Sequence, residues 1–306
     1  MSSQSGKAGA VISIGRLYCD VVFTGLDAMP RLGREAFAEA VDLKAGGGAY
    51  IAAAHFAALG RQSALLARIG TDAMSGGLMD ELAASGVALD FLEHAPDAGP
   101  QLTVVLTQES ERAFVSRRAG PARPKTLEAA LAWSRACHVH IAEYATLNEI
   151  PDLVARAKAK GLSVSLDPSW DGTLIRDAGL LAACAGVDVF LPNVEEAVAI
   201  TGHEGIDAAM DLLCAHFPIV AIKAGAEGAR LGTAAGARIG RSAPKVTVRD
   251  TTGAGDAFNA GLIDAWLAGK SFEQCLGAGI ARGSLSVQHV GGAGVPMTDR
   301  ARALGA

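Results

Sequence analysis

Short apolar runs alternate with helix-like segments along most of this chain. The strand-like runs, each apolar almost throughout, lie near 10–14, 63–67, 139–141, 163–166, 187–191 and 219–223. Alanine-rich helical patterns lie near 49–59, 74–84, 127–135, 150–160, 195–201, 206–214, 255–268 and 272–287. Strands that are apolar at successive positions are typical of sheets buried on both faces. The alternation therefore predicts an α/β fold with a doubly wound, mostly parallel sheet.

Two β-rich segments interrupt this alternation. The first lies near 20–45 and includes Pro30 and Gly33, which indicate turns between short strands. The second lies near 101–118, where two β-like runs are joined by a polar link and form a predicted hairpin. We predict that both segments leave the main sheet and build a small β lid. Residues 1–9 are predicted to be a disordered tail, and residues 10–306 a single domain.

Composition narrows the function classes. The chain has 306 residues, half of them hydrophobic, and a formal net charge of −5, which disfavours a nucleic-acid binder. No apolar run approaches the roughly 18 residues of a membrane span, so no membrane partner is expected. The five cysteines include no Cys-x-x-Cys pair, which favours free thiols and a cytoplasmic protein.

The segment 250–261 carries the clearest chemical signal. Its Gly253-Ala254-Gly255 run follows a strand-like stretch and precedes an apolar helix. Glycines allow backbone N–H groups to approach an anion, and a helix N-terminus adds unpaired donors and a positive dipole end. Asp256, in the first helical turn, is a candidate general base beside such an anion site. Considered alone, Asp256 has the alternative of an ordinary helix cap.

The whole run resembles the C-terminal signature of the ribokinase-like, or PfkB carbohydrate kinase, family, D-T-x-G-A-G-D-x-F. Further segments resemble family elements in the same order: Gly15–Asp20, Gly70–Gly76, Asp167-Pro168, Asn193–Glu196, Lys223–Gly228 and Gly291–Ala293. The resemblance spans roughly residues 10–298. It implies a ribokinase-like, three-layer α/β fold with a lid.

The resemblance also implies roles for individual residues. Asp256 would be the general base, with Gly253, Ala254 and Gly255 as the anion hole. The nucleotide and its cofactors would involve a larger set: Asn193 and Glu196 holding Mg²⁺ through water, Lys223, Gly225, Gly228 and Thr252 near ATP, and Asp250 with Thr252 in a monovalent-cation (K⁺) site. The acceptor would face Asp20 and the turn Gly46-Gly47-Gly48. Many relatives pair through their lids, so a homodimer is an expectation.

Several of these residues could also have a purely structural role. Asn193 and Glu196 also fit a helix-capping pair. Lys223 fits a solvated charge at a strand end, and Asp20 fits a turn residue. Their order around the strong motif favours the functional interpretation.

One position departs from the family pattern. Ile51 stands where relatives usually carry an asparagine that bonds a sugar hydroxyl, and isoleucine offers no hydrogen bond. The acceptor is therefore expected to be less polar on that side or to be bound by other groups. Glu143, which follows the strand at 139–141, is a candidate to enter the same cleft.

These observations predict ATP-dependent phosphoryl transfer to a hydroxyl, of the CH2OH type, on a sugar or sugar-like molecule. Two alternatives remain open: a nucleoside kinase of the same fold, and a catalytically weak sugar-binding regulatory protein. The chain has neither the G-x-G-x-x-G of dinucleotide-binding oxidoreductases after its first strand nor a Walker-type phosphate loop.

Overall fold

A computed structural model describes residues 9–108 and 111–293. Of residues 111 and 112 it describes the backbone but not the side chains. The predicted tail lies, apart from Gly9, outside the described residues, as does the end of the chain after Ala293. In the described residues no helix is both long and apolar enough to cross a bilayer.

Strands and helices alternate along the described chain. The strands are β1 (Ala10–Ile14), β2 (Tyr18–Thr24), β3 (Ala40–Gly46), β4 (Ser63–Leu66), β5 (Arg68–Ile69), β6 (Glu93–His94), β7 (Leu102–Gln108), β8 (Glu111–Arg117), β9 (Ala136–Ile141), β10 (Ser163–Leu166), β11 (Val189–Phe190), β12 (Ile219–Lys223), β13 (Ala229–Thr233) and β14 (Arg238–Arg241). The α-helices are α1 (Gly48–Ala58), α2 (Ala73–Gly76), α3 (Met79–Ala84), α4 (Leu127–Leu131), α5 (Tyr144–Glu149), α6 (Leu153–Ala159), α7 (Leu180–Ala183), α8 (Val194–Thr201), α9 (Ile206–His216), α10 (Ala254–Leu267) and α11 (Phe272–Ser286).

The main sheet has eight strands in the order β14-β13-β12-β11-β10-β9-β1-β4. Neighbouring strands in the part β12-β11-β10-β9-β1-β4 of this order are parallel. Strands β13 and β14 extend the sheet with antiparallel pairs. In a parallel sheet the carboxyl ends of the strands meet at one edge. This edge is the one that positions the site described below.

Helices cover both faces of this sheet, as the apolar strand pattern predicts. In β1, Val11 packs with α1, α10 and α11, whereas Ile12 and Ile14 pack with helices α4 to α9 on the opposite face. Successive side chains of a strand point to opposite faces, so both must be apolar. The result is the predicted three-layer, doubly wound α/β fold.

A separate four-stranded sheet stands beside the main sheet, in the order β3-β2-β7-β8. Its strands come from the two segments predicted to form a lid. β2 and β3 are antiparallel, β2 and β7 are parallel, and β7 and β8 form the hairpin. We call this sheet the lid.

Three predicted helices differ from those observed. The helix expected near 127–135 ends already at Leu131. The helix expected near 74–84 is broken into α2 and α3, and Gly76 and Gly77 lie at the break, where a glycine pair weakens helix propensity. The helix expected near 150–160 begins at Leu153, because Pro151 lies before it and disfavours helical backbone at Ile150. The short helix α5, directly before it, was not predicted.

Helices α10 and α11 pack unusually closely at Gly261. A β-carbon added there would lie 2.6 Å from the carbonyl oxygen of Ala278 and 2.9 Å from Cβ of Arg282. Real β-carbons do not approach backbone oxygens so closely, so only glycine fits. At this contact α10 packs directly against α11. Helix α10 begins at the candidate active site described below.

The substitution Gly261→Ala should lower the free energy of unfolding by about 1–3 kcal/mol, because the helices must separate to admit the methyl group. The matched control is Gly76→Ala, where an added β-carbon meets nothing within 4 Å and stability should be unchanged or slightly higher. Chemical denaturation of both variants measures the difference. Equal stabilities would contradict this account of the α10–α11 contact.

Candidate active site

A cleft of about 860 Å³ lies between the carboxyl edge of the main sheet and the lid. Its floor is formed where β9, β10 and β12 end, by Glu143, Asp167 and Lys223. Residues 251–256, at the start of α10, form one wall. Ligand sites in open α/β sheets lie at this edge, outside the carboxyl ends of the strands.

The start of α10 has the geometry of an anion site. Gly253 is the N-cap, with φ of 71°, a left-handed conformation that glycine adopts without strain. Gly253, Ala254 and Gly255 all line the cleft, and the first turn of a helix leaves amide groups without intrahelical partners. The amide of Ala254 donates to the Thr251 carbonyl at 3.2 Å. Asp256 follows in that turn, and a β-carbon on Gly48 would lie 2.8 Å from its Oδ1. The absence of a side chain at Gly48 leaves room at the carboxylate.

A charged network lies beneath this turn. Lys223 Nζ donates to Asp167 Oδ2 at 2.5 Å, and Nδ2 of the buried Asn259 donates to the same oxygen at 2.6 Å. Asn259 is three residues after Asp256, on the same side of α10. The network thus fixes α10 to the ends of β10 and β12.

Asn193 and Glu196 form the capping box that sequence alone offered as their alternative role. Asn193 Oδ1 accepts from the amide of Glu196, and Glu196 Oε2 accepts from the amide of Asn193, both at 2.8 Å. Both residues also line the cleft. The two interpretations are therefore compatible, because a capping box uses only part of each side chain.

The acidic groups of the cleft raise one another's pKa values. Burial raises the pKa of Asp256 to about 7; Asp167 adds to the rise, and Lys223 opposes it. Burial and then Asp167 likewise raise the pKa of Glu196 to about 7. Burial works against the charge of Lys223, but Asp167 and Glu196 outweigh it and raise the lysine pKa. The site thus holds more negative charge than its lysine neutralises.

The predicted acceptor side contains Asp20 and Glu143. Burial raises the pKa of Asp20 to about 7, with further contributions from Glu81 and Asp250. Gly46 does not line the cleft, but a β-carbon there would lie 2.0 Å from Asp20 Oδ2, so its absence makes room for that carboxylate.

Glu143 Oε1 is held by the backbone amide of Arg16 at 3.0 Å and by the Thr146 hydroxyl at 2.8 Å. Gly47, with φ of 92°, caps α1 at the cleft. Ile51 borders the cleft but is 4% exposed, and its side chain packs against Gly253 and Gly292.

Two predicted nucleotide and cation residues, Gly228 and Asp250, are not among the lining residues of the main cleft. Gly228 lies where a β-carbon would meet the Arg241 carbonyl at 2.1 Å. Asp250 lines a smaller cavity of about 120 Å³ together with Thr252. Its carboxylate accepts from the amides of Thr252 and Gly291. Gly225 and Thr252 border the main cleft.

Sequence reasoning gave no site role to several residues that line the cleft: Tyr18, Thr103, Val105, Phe114, Ser116, Asp167, Ser169 and Trp170. It considered Arg118, which also lines the cleft, as a contact to an anionic substrate but favoured a solvated hairpin face. A signal existed for Asp167, which directly follows a buried strand, and for Asn259 beneath it, three residues after Asp256. Arg118, at the end of the predicted hairpin, donates to Asp171 Oδ2 at 2.8 Å and bonds the Tyr18 hydroxyl. Nothing local indicates Trp170, whose position depends on the loop after β10.

The charges of the cleft fit a divalent cation. The described lining residues include two cations, Lys223 and Arg118, and five carboxylates, those of Asp20, Glu143, Asp167, Glu196 and Asp256. Within the described part of the chain, however, no three acidic, histidine or cysteine side chains are grouped closely enough to hold a metal. A cation here would therefore be bound through water and a substrate phosphate, which is how Mg²⁺ is commonly held.

Comparisons with known proteins agree with this geometry. The family model described as pfkB family carbohydrate kinase matches residues 11–299. The chain is 28% identical to the ATP-dependent ribose-1-phosphate kinase of Halopiger xanaduensis over 296 residues, which cover 94% of this chain and 95% of that protein.

Ribokinase of Arabidopsis thaliana provides both a sequence and a structural comparison. It is 30% identical over 315 residues, covering 98% of this chain and 81% of that protein. The structure of the Arabidopsis enzyme complexed with ribose and ATP superposes with a TM-score of 0.81 at 25% identity, covering 98% of this chain and 99% of that one.

The raised pKa of Asp256 predicts that the free energy of unfolding depends on pH. Its folded value of about 7 exceeds its ordinary unfolded value of about 3.9, so the folded chain binds this proton more tightly. Folding therefore loses stability as pH rises between these values. Asp256→Asn removes this loss. In the absence of nucleotide and magnesium, the variant should therefore gain free energy of unfolding relative to wild type, and the gain should be larger at pH 8 than at pH 5 by on the order of 2 kcal/mol.

Denaturation of wild type and variant at both pH values measures this difference. The matched control is Asp207→Asn, a change at an exposed first-turn aspartate of α9, which should show no such pH dependence. A stabilisation by Asp256→Asn that is the same at pH 5 and pH 8 would contradict the raised pKa.

Proposed function

Because the chain belongs to the PfkB family of carbohydrate kinases, which are phosphotransferases, we propose that it transfers the terminal phosphoryl group of ATP to a hydroxyl of a sugar or sugar-like molecule. The hydroxyl is a primary alcohol, CH2OH, because such a group needs little room to reach Asp256, which is half-buried at the cleft wall. The observation that carries this proposal is the carboxylate of Asp256 in the first turn of a helix whose glycine-rich start lines the cleft.

In this proposal Asp256 accepts the proton of the acceptor hydroxyl as the oxygen attacks the phosphorus. A pKa of about 7 suits a general base that works near neutral pH. The amides at Gly253, Ala254 and Gly255 stabilise the negative charge of the transferred group. Such preorganised donors contribute mainly in the transition state, where that charge is greatest.

The nucleotide phosphates approach from the side of Lys223 and Gly225. Lys223 is close to the anion site, since a β-carbon on Gly255 would lie 3.4 Å from its Nζ. Asn193 and Glu196 hold Mg²⁺ through water, and the cation supplies charge neutralisation for the phosphates. The excess of carboxylates at the floor of the cleft supports this assignment. Asp250 and Thr252 are the candidates for a K⁺ site beside it.

The acceptor binds on the opposite side, where Asp20 and Glu143 can accept hydrogen bonds from hydroxyl groups. A nucleoside is the second candidate acceptor. It is favoured by the aromatic side chains of Phe114 and Trp170, which border the cleft and are 58% and 49% exposed. Exposed rings in a cleft can stack on a planar base.

Replacing Asp256 by asparagine should lower kcat by about a thousandfold, because the proton acceptor is lost. The affinity for ATP should stay within about twofold of wild type, because the shape and the anion hole are kept. Steady-state kinetics and ATP titration measure the two effects, with Asp207→Asn as the control at an exposed first-turn aspartate. A variant that keeps more than a tenth of wild-type kcat is incompatible with Asp256 as the base.

An ATP-consumption screen with magnesium over sugars, sugar acids, sugar phosphates and nucleosides separates the acceptor classes. Turnover with nucleosides but with none of the other compounds would show that the acceptor is a nucleoside, the second candidate, and not a sugar. Tight binding of a sugar without turnover would favour a regulatory protein.

The lid supports a further proposal, that two copies pair through it. Its outer face carries an apolar row across all four strands, in which Leu43, Val21, Val104 and Val115 are directly opposite one another in register. Leu43 and Val115 are exposed. Contiguous exposed apolar surface of this kind is typical of an interaction site, and a twofold dimer buries the same patch on both copies.

The substitution Val115→Lys should convert a dimer to a monomer, because it places a charge in the apolar row without entering the cleft. Light scattering over a range of protein concentrations measures the mass. The control is Val248→Lys, the same change at an exposed valine outside the lid. A wild-type chain that stays monomeric, or a Val115→Lys variant that stays dimeric, would refute pairing through this face.

A further inference from the structure

His55 lies in the last turn of α1, and the proposed chemistry assigns it no role. It is 1% exposed. Nδ1 of its ring lies 2.8 Å from Nε of Arg282 in α11, and Nε2 lies 2.9 Å from the carbonyl oxygen of Gly292. The ring therefore joins three segments that are distant in sequence: α1, α11 and the loop that follows α11.

Arg282 determines which ring nitrogen carries the proton. A guanidinium can only donate, so Nδ1 of His55 accepts, and the hydrogen is on Nε2. His55 Nε2–H therefore donates to the Gly292 carbonyl. Burial and the positive charge of Arg282 lower the pKa of His55 to about 3, so the ring stays neutral and keeps this tautomer near neutral pH.

A second bond holds the same loop at the neighbouring residue. The amide of Gly291 donates to Asp250 Oδ2 at 2.9 Å. Oδ1 of the same carboxylate accepts from the amide of Thr252 at 2.7 Å, directly before Gly253. The loop is thus fixed at Gly291 by Asp250 and at Gly292 by His55.

The fixed loop packs directly against the anion hole. A β-carbon on Gly253 would lie 2.7 Å from Cα of Gly292 and 2.8 Å from Cγ2 of Ile51. A β-carbon on Gly292 would lie 2.5 Å from Cδ1 of Ile51. Interiors packed this tightly transmit displacement, so movement of Gly292 must be felt at Gly253.

We propose that His55 is a positioning residue for the anion hole, because its Nε2–H holds Gly292 against Gly253 and so fixes the first turn of α10. Ile51 acts as the spacer between α1 and these two glycines, a role that an apolar side chain fills without needing a hydrogen-bond partner. Arg282 acts through His55 by fixing its tautomer. The inference rests on the proposed function, since the hole matters only if a phosphoryl group is transferred there.

A pair of amide substitutions tests this role. In His55→Gln the side-chain amide reaches as far as Nε2 and retains a donor to Gly292. In His55→Asn the amide ends near the position of Nδ1 and cannot reach that carbonyl. We expect kcat of His55→Asn to fall at least tenfold, while kcat of His55→Gln stays within about threefold of wild type.

The matched control for burying a short amide is His138→Asn. His138 is also fully buried and bonds Ser163 and Ser165 through its two nitrogens, but it does not border the cleft. The His138→Asn variant should have lower stability than wild type but an unchanged kcat.

Two further readouts concern His55→Asn itself. The KM for ATP and the affinity for ADP, which lacks the transferred group, should change less than twofold. The pH dependence of kcat should stay that of wild type.

The outcomes distinguish this inference from the function on which it rests. A wild-type chain that phosphorylates no acceptor overturns the proposed function, and the role of the hole with it. An active wild type in which the two His55 variants lose kcat equally, or in which His55→Asn behaves like His138→Asn, overturns only the role of His55. A crystal structure of His55→Asn gives a readout without any acceptor: Gly292 should move away from Gly253, and an unmoved loop refutes the proposal.

Discussion

The crowding of carboxylates at one end of a parallel sheet is the constraint on which the rest of this structure depends. Asp167, Glu196 and Asp256 converge where β10, α8 and α10 begin or end, and Lys223 lies among them as a counter-charge. The arrangement raises the pKa values of Glu196 and Asp256, because burial and mutual repulsion favour their protonated forms. A cleft built in this way favours a cation and accepts a proton readily near neutral pH.

The same helix terminus serves structure and proposed chemistry. The backbone at Gly253 and Gly255 has no side chain in the way, so the amides of α10 lie at the cleft wall, while Asn259 one turn later ties the helix to Asp167. On the outer side, Gly261 allows α11 to pack closely. A helix fixed at both levels can hold its first turn rigid, which electrostatic preorganisation requires.

Ile51 illustrates how one side chain can serve both the core and the cleft. It was predicted to lie at the acceptor, and it borders the cleft although it is almost wholly buried. Its methyl groups fill the space next to Gly253 and Gly292. In the proposed function the polar contacts to the acceptor therefore come from Asp20 and Glu143, at β2 and after the end of β9.

The sequence by itself determined the layer order, the lid segments and the start of α10, because periodicity, glycine positions and the 250–261 run are local properties. It also identified Asp256, Asn193 and Glu196 as candidates. Only the tertiary structure decided that Trp170 borders the cleft and that His55 holds the loop at Gly292, a residue 237 positions away along the chain. Contacts at such separations are made by the packing of whole helices and strands, which no local pattern encodes.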